Sequence, residues 1–273
     1  MKHSVLPGTL AAHEDLMNKL INSPQNLGTT APMDYIYATR NAGYEGIGIR
    51  LYRAPGRTYN FNPIVGNPTL MRDVKKAIPD LGLEMYDVYS YYLQPTMEWD
   101  LILPSLDFAG ELGAKFLLVI GDDSEWNRML DNMGRICEKV KPMGIRVCIE
   151  AYATCLTPMA TAVKFCEDTR EHNVGLCMDP RQGYRDEQDQ SSVLLRDVDR
   201  SLLPYAQIND STPYGTNNGI LPGEGSVPLF EYLDALPQGI DLSTEAQFPS
   251  DYTYTGAEWA KMTVERTHKF LAR

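Results

Sequence analysis

Four polar residues stand where short apolar runs end: Glu150 closes RVCIE, Asp179 closes VGLCMD, Gln207 lies in YAQIND and Glu245 closes DLSTE. In neighbouring parallel strands, side chains at these positions converge on one rim. Two glutamates, an aspartate and an amide oxygen make an all-oxygen donor set, which suits a hard or borderline divalent cation such as Mg2+ or Mn2+. The lack of His and Cys in the set argues against zinc. A single carboxylate at a strand end is ordinarily a helix cap or half of a salt bridge. Four polar ends on consecutive strands call for a shared task.

The elements that must position them alternate. Apolar runs of four to eight residues are followed by longer amphipathic segments, the pattern of parallel βαβ units. Eight strands are expected, at Ser4–Leu6, Gly46–Leu51, Glu84–Tyr89, Phe116–Ile120, Arg146–Glu150, Gly175–Asp179, Tyr205–Ile208 and Leu242–Glu245. Helix starts are read at Thr157-Pro158, as an N-cap followed by proline, and at Thr255 with Glu258, as a capping box. Apolar residues from Trp126 to Val140 recur at helical spacing. Gly43, Gly82, Gly113 and Gly144 fall where helices should end before strands two to five. The fold expected is a single-domain (β/α)8 TIM barrel over residues 1–273, consistent with the roughly 250 residues such barrels use. Between the expected first strand and a helix at Met33–Asn41 lie about two dozen residues, read as an insertion over about residues 10–32 on the active-site side.

Composition narrows the partners. The 273 residues carry a formal net charge of −11, which argues against a nucleic-acid-binding surface but leaves room for a locally basic pocket. No stretch nears the roughly 18 apolar residues of a membrane span, and the N-terminus lacks the apolar run of a signal peptide. Five cysteines without CxxC pairing fit a reduced interior, so a cytoplasmic protein is expected.

AGYEGIGIR, ELGAKFLLVIG, MGIRVCIE, VGLCMD, YAQIND, LPGEGSVPLFEYL and STE, in this order and spacing, resemble the xylose isomerase-like barrels, the sugar phosphate isomerase/epimerase superfamily. The resemblance covers nearly the whole chain. It implies a metal held by Glu150, Asp179, Gln207 and Glu245, with Gln207 where the family usually has His. It implies that Glu150 and Glu245 also move protons, through a metal-stabilised enediolate. Two further positions depart from the family, which commonly has His where this chain has Tyr152 and Gln182. Relatives are often homo-oligomers, and one is expected here.

Tyr152 is the candidate for an additional acid or hydrogen-bond donor, or else a pocket wall. Tyr89 and Tyr91, alternating on strand three, are expected to line the pocket from one face. Arg50, Arg53, Arg181 and Arg185 are candidate anion binders, through the two-pronged geometry of guanidinium. Arg181 has as its alternative a salt bridge to a ligand carboxylate. Asp122 and Asp123 are expected to cap the helix that follows strand four. The leading expectation is a metal-dependent isomerase or epimerase of a sugar or related polyhydroxy carbonyl compound. The absent histidines lend weight to a second, a lyase dehydrating a keto-polyol or a cyclic keto acid such as a dehydroshikimate-like ring. A non-catalytic barrel subunit is the third. A DNA-repair endonuclease of this fold would need a basic groove and a His-rich site, neither of which the sequence carries.

Overall fold

The computed structural model describes residues 19–151, 155–187, 190–212, 219–249 and 253–273. Eight parallel strands close into a barrel in sequential order. They are β1 (Leu20–Asn22), β2 (Gly46–Arg50), β3 (Glu84–Leu93), β4 (Phe116–Gly121), β5 (Arg146–Glu150), β6 (Val174–Met178), β7 (Tyr205–Ile208) and β8 (Asp241–Thr244). Helices α1 (Pro32–Ala42), α2 (Pro68–Asp80), α3 (Trp99–Glu111), α4 (Trp126–Val140) and α5 (Met159–Asp168) follow the first five strands in turn. Two short helices, α6 (Pro180–Glu187) and α7 (Ser191–Arg196), follow β6. Helices α8 (Leu229–Ala235) and α9 (Gly256–Leu271) follow β7 and β8.

Most local expectations hold for the reasons that suggested them. Helix α4 buries Met129, Met133, Ile136, Cys137 and Val140, one stripe of a 3.6-residue period. The capping box at Thr255 and Glu258 is formed in both directions. Gly43, at φ 98°, adopts the left-handed turn that ends α1. Thr157 does not act as an N-cap. The helix begins at Met159, the Thr157–Pro158 peptide is cis, and the Thr157 hydroxyl bonds Asp186 Oδ2 at 3.1 Å.

The first strand is corrected. The barrel is closed by Leu20–Asn22, which pairs with β2 on one side and β8 on the other. The residues expected as strand one, Ser4–Leu6, lie outside the described residues. From β1 to α1 the chain needs only residues 23–31, including a 3-10 turn at Pro24–Leu27, so no inserted segment separates them. Three residues are too few to show a strand period, and Leu20-Ile21 closes a run that reads as helix.

Side-chain hydrogen bonds reinforce this short seam. Asn22 Nδ2 donates to Thr39 Oγ1 at 2.8 Å, and Asn26 Nδ2 donates to Asn22 Oδ1 at 2.8 Å and to the Thr244 carbonyl at 3.0 Å. The Tyr44 and Thr244 hydroxyls lie 2.9 Å apart. These groups are all buried, so each bond made also avoids the cost of an unpaired polar group.

The barrel interior is plugged at the N-terminal end. Tyr86, Phe116 and Tyr205 pack with ring centroids 4.8–5.5 Å apart, and the Tyr86 hydroxyl bonds Asp241 Oδ2 at 2.8 Å. Cys148 and Cys177 fill the middle, and none of the five cysteines forms a disulfide. The opposite, C-terminal end is open.

One acid in this interior is out of keeping. Asp87 is fully buried, it packs tightly against Gly48, and neither of its oxygens has a hydrogen-bond partner of good geometry. Burial pushes its carboxyl up from 3.8 to about 7, although the Tyr205 phenol is close enough to offset part of the cost. The folded value lies above the unfolded one, so the native state holds the extra proton. The stability this contributes is present below about pH 4 and is lost as pH rises through about 7. Asp87→Asn is therefore expected to gain on the wild type by up to roughly 1.4 kcal/mol per pH unit across that window. Urea unfolding of both proteins at a series of pH values checks this, and parallel stability curves would refute it.

Candidate active site at the open end of the barrel

Three carboxylates converge at the open end. Glu150 is the last residue of β5, Asp179 follows β6 directly and Glu245 follows β8 directly. One oxygen from each lies within 4.8 Å of the others, and all three side chains are buried. Gln207, on β7 between them, pairs in register with Ser243, two residues before Glu245. Its Nε2 donates to the Tyr89 hydroxyl at 3.0 Å, while its Oε1 is buried with no partner. Glu245 Oε2 is likewise buried and unpartnered.

The first turn of α6 holds two of these acids from behind. Asp179 precedes Pro180 and caps the helix, its Oδ1 accepting from the Arg181 N–H at 2.9 Å and the Gln182 N–H at 3.4 Å. Arg181 Nη2 lies 3.2 Å from Asp179 Oδ2, the salt bridge weighed as its alternative role. Gln182 Nε2 donates to Glu150 Oε1 at 3.1 Å, and Gln182 Oε1 is left without a partner.

The electrostatics follow from crowding like charges away from water. Burial and the charge of Asp179 raise the Glu150 carboxyl, partly countered by Gln182 and Arg181. Burial, Glu150 and Asp179 raise Glu245 well above its ordinary value, against Arg181 and Arg50. A cation among these oxygens relieves each of these costs. Three carboxylate donors and an unpartnered amide oxygen suit a hard divalent ion. The donor set therefore fits the metal expected from the sequence.

The other candidates divide. Arg50 is buried against Pro24 and lines a cavity of about 510 Å3 beside the carboxylates. Tyr89 lies inside the barrel and touches Gln207. Tyr91 does not face the pocket, which corrects that expectation. Between Val88 and Tyr91 strand β3 advances three residues while β4 advances two, from Leu117 to Val119. The extra residue flips the alternation. Tyr91 thus packs outward, stacked on Tyr52 at 5.7 Å and bonded to Ser105 on α3. Tyr92 takes a place in the cleft wall instead. Tyr152 lies outside the described residues.

Arg185 pairs with Asp186 at 2.6 Å, and Arg53 stands over the Phe61 ring. Asp123 does not cap α4, whose N-cap is Glu125 without a side-chain cap bond; it accepts from the Glu125 N–H at 2.9 Å and pairs with Arg128 at 2.6 Å. Asp122 instead pairs with Arg57, whose guanidinium lies 3.8 Å from the centre of the Tyr92 ring. Arg57 and Tyr59, on the arm after β2, border the cleft and were not singled out in the sequence. The only signal there was a cluster of Arg and Tyr in RAPGRTYNFNP. The PGEG loop proves structural. Asp210 accepts from the Gly223, Gly225 and Val227 N–H groups at 2.9–3.0 Å, and a Cβ at Gly225 would lie 2.2 Å from the Asp210 carboxylate.

The sequence signature of the xylose isomerase-like TIM barrel matches residues 36–263, most of the chain. The chain belongs to that family. No protein of curated function matches it closely in sequence. Among solved structures it is similar to an IolI protein with a bound zinc atom, at 15% identity and a TM-score of 0.74, covering 93% of this chain and 98% of that one. It is also similar to an L-ribulose 3-epimerase, at 19% identity and a TM-score of 0.68, covering 93% and 95%. A D-allulose 3-epimerase from Methylomonas sp. in complex with D-allulose matches at 14% identity and a TM-score of 0.68, covering 93% and 97%. At these identities the likeness is one of fold alone. Among the described residues, no helix is long and apolar enough to cross a membrane.

Titrating Mn2+ into the protein is expected to fill one site per chain. Tyr89→Phe should weaken that binding about tenfold, the usual cost of removing a group that orients a metal ligand. Calorimetry measures both, and unchanged affinity in the variant would show that the tyrosine does not set the amide.

Proposed function

We propose that this chain is a divalent-metal-dependent isomerase or epimerase of a sugar or related polyhydroxy carbonyl compound. The observation that carries the proposal is the convergence of Glu150, Asp179 and Glu245 beside the unpartnered oxygen of Gln207, at the end of an open polar cleft. Structural neighbours named as 3-epimerases of L-ribulose and D-allulose support the class of chemistry. Glu150, Asp179, Gln207 and Glu245 would hold Mn2+ or Mg2+. When bound, such an ion supplies Lewis-acid polarisation that makes a hydrogen beside a carbonyl easier to remove.

This chain's own groups do the rest. Glu150 and Glu245 approach the site from β5 and β8, so a substrate carbon between them has a carboxylate on either side. One accepts the proton and the other returns one. Delivery to the opposite face gives epimerisation, and delivery to the neighbouring carbon on the same face gives isomerisation. Gln182 holds one oxygen of Glu150 and so orients the other. The unpartnered Oε1 of Gln182 would accept from a substrate hydroxyl. Arg181 pairs with Asp179 at 3.2 Å and so orients its carboxylate.

A lyase is the second reading. It is favoured by the replacement of the family's usual histidines by Gln207 and Gln182. Among the described residues, the remaining histidines stand elsewhere: His172 borders a groove with Lys141 and Arg146, and His268 is on α9.

Incubating the metal-loaded protein with a ketose panel in D2O separates the two. The expected product keeps the substrate's mass apart from one solvent deuterium next to the carbonyl; loss of water would establish the lyase instead. Glu150→Gln and Glu245→Gln are each expected to lower turnover about 100-fold or more. Near-normal turnover in both would remove the proton-transfer roles.

A further inference from the structure

Arg50 ends β2 with a side chain only 6% exposed. Its Nη1 donates to the Pro24 carbonyl at 2.7 Å, its Nε–H is buried without a partner, and the Tyr59 ring covers it at 4.6 Å. No carboxylate among the described residues reaches ion-pair distance of it. The other guanidiniums bordering the cleft differ: Arg57 pairs with Asp122, Arg181 with Asp179 and Arg185 with Asp186. A buried, unpaired guanidinium is costly, and it does not escape the cost by losing its proton near neutral pH.

Among the described residues, the charges around the cleft nearly balance. Glu150, Asp179 and Glu245 carry −3 when ionised. A divalent ion and Arg181 together cancel them. The Arg57–Asp122 and Arg185–Asp186 pairs are each neutral. Arg50 remains, one positive charge facing a cavity of about 510 Å3 that adjoins the carboxylate trio. Gln25, Arg57 and Tyr92 border both compartments, so a ligand extended from one to the other stays within a single set of walls.

We infer that the substrate is a monoanion, a keto- or aldo-sugar acid whose carboxylate pairs with Arg50 while its carbonyl end lies between Glu150 and Glu245. The inference rests on the metal-dependent reading of the site, since the charge count includes a divalent ion. A carboxylate matches the single uncompensated charge, whereas a phosphate monoester near −2 would leave one negative charge over. The guanidinium fork recognises a planar carboxylate through paired N–H bonds, and Arg50 lines the cavity with a guanidinium whose Nη1 bonds the Pro24 carbonyl.

Three ketoses that differ only at C6 test this: D-fructose, D-fructuronate and D-fructose 6-phosphate carry a hydroxymethyl, a carboxylate and a phosphate there. Binding to the Mn2+-loaded protein is measured by calorimetry, after Mn2+ uptake itself has been titrated. D-fructuronate is expected to bind at least about tenfold tighter than D-fructose, the scale of a buried charged contact. In Arg50→Gln the ratio should fall to near one; in Arg50→Lys, which keeps the charge and loses the fork, it should be intermediate. Three results overturn the inference: equal or no binding of D-fructose and D-fructuronate by the wild type, a ratio preserved in Arg50→Gln, or preference for the phosphate. Normal Mn2+ uptake alongside any of these leaves the proposed function standing, whereas absent Mn2+ uptake removes both.

Discussion

Like charges brought together out of water are the constraint on which the site depends. Burying one carboxylate is costly, and burying three within 4.8 Å is sustained only by compensation from every side. The fold supplies it from separate elements. Arg181 and two backbone N–H groups of α6 face Asp179, Gln182 braces Glu150, and Arg50 acts on Glu245 from β2 without touching it. Each of these groups arrives because a strand ends where it does. The barrel architecture therefore serves here as a device for delivering opposed charges to one rim.

The barrel and the four polar ends were legible because both are local patterns. An apolar run that stops at an acid marks a strand and its rim residue at once, as RVCIE and VGLCMD do. What escaped was set by non-local geometry. Strand β1 is three residues long and is held by pairing on both edges and by side-chain hydrogen bonds, so no periodicity announces it. Tyr91 was assigned to the cleft by strict alternation, and a single extra residue in β3 reversed it. Thr157 has the residue type of a cap, but its hydroxyl is taken by Asp186 on α6. That Arg50 has no acidic partner among the described residues is a property of three-dimensional neighbourhood, which no spacing along the chain encodes.

The barrel's closure and its chemistry share one seam. Thr244 accepts from Asn26 and lies against the Tyr44 hydroxyl, and the next residue is Glu245. The network that fastens β8 to β1 thereby also fixes the backbone from which Glu245 projects, and the Glu245 N–H is anchored to Ile208 on β7 at 3.1 Å. Rigidity at the join is thus transmitted to an acid whose task demands exact placement.

Gln207 has a symmetrical outline and an unsymmetrical chemistry, because rotating its amide by half a turn exchanges an acceptor for a donor. Here the Nε2 side meets the Tyr89 hydroxyl and Oε1 is left without a partner. A phenol can donate as well as accept, so a bound cation, which needs an oxygen, would select the polarity that the fourth corner displays. A designer wishing to retune this centre for a different ion would begin at residue 89, which lines the cleft and holds the amide from beside it.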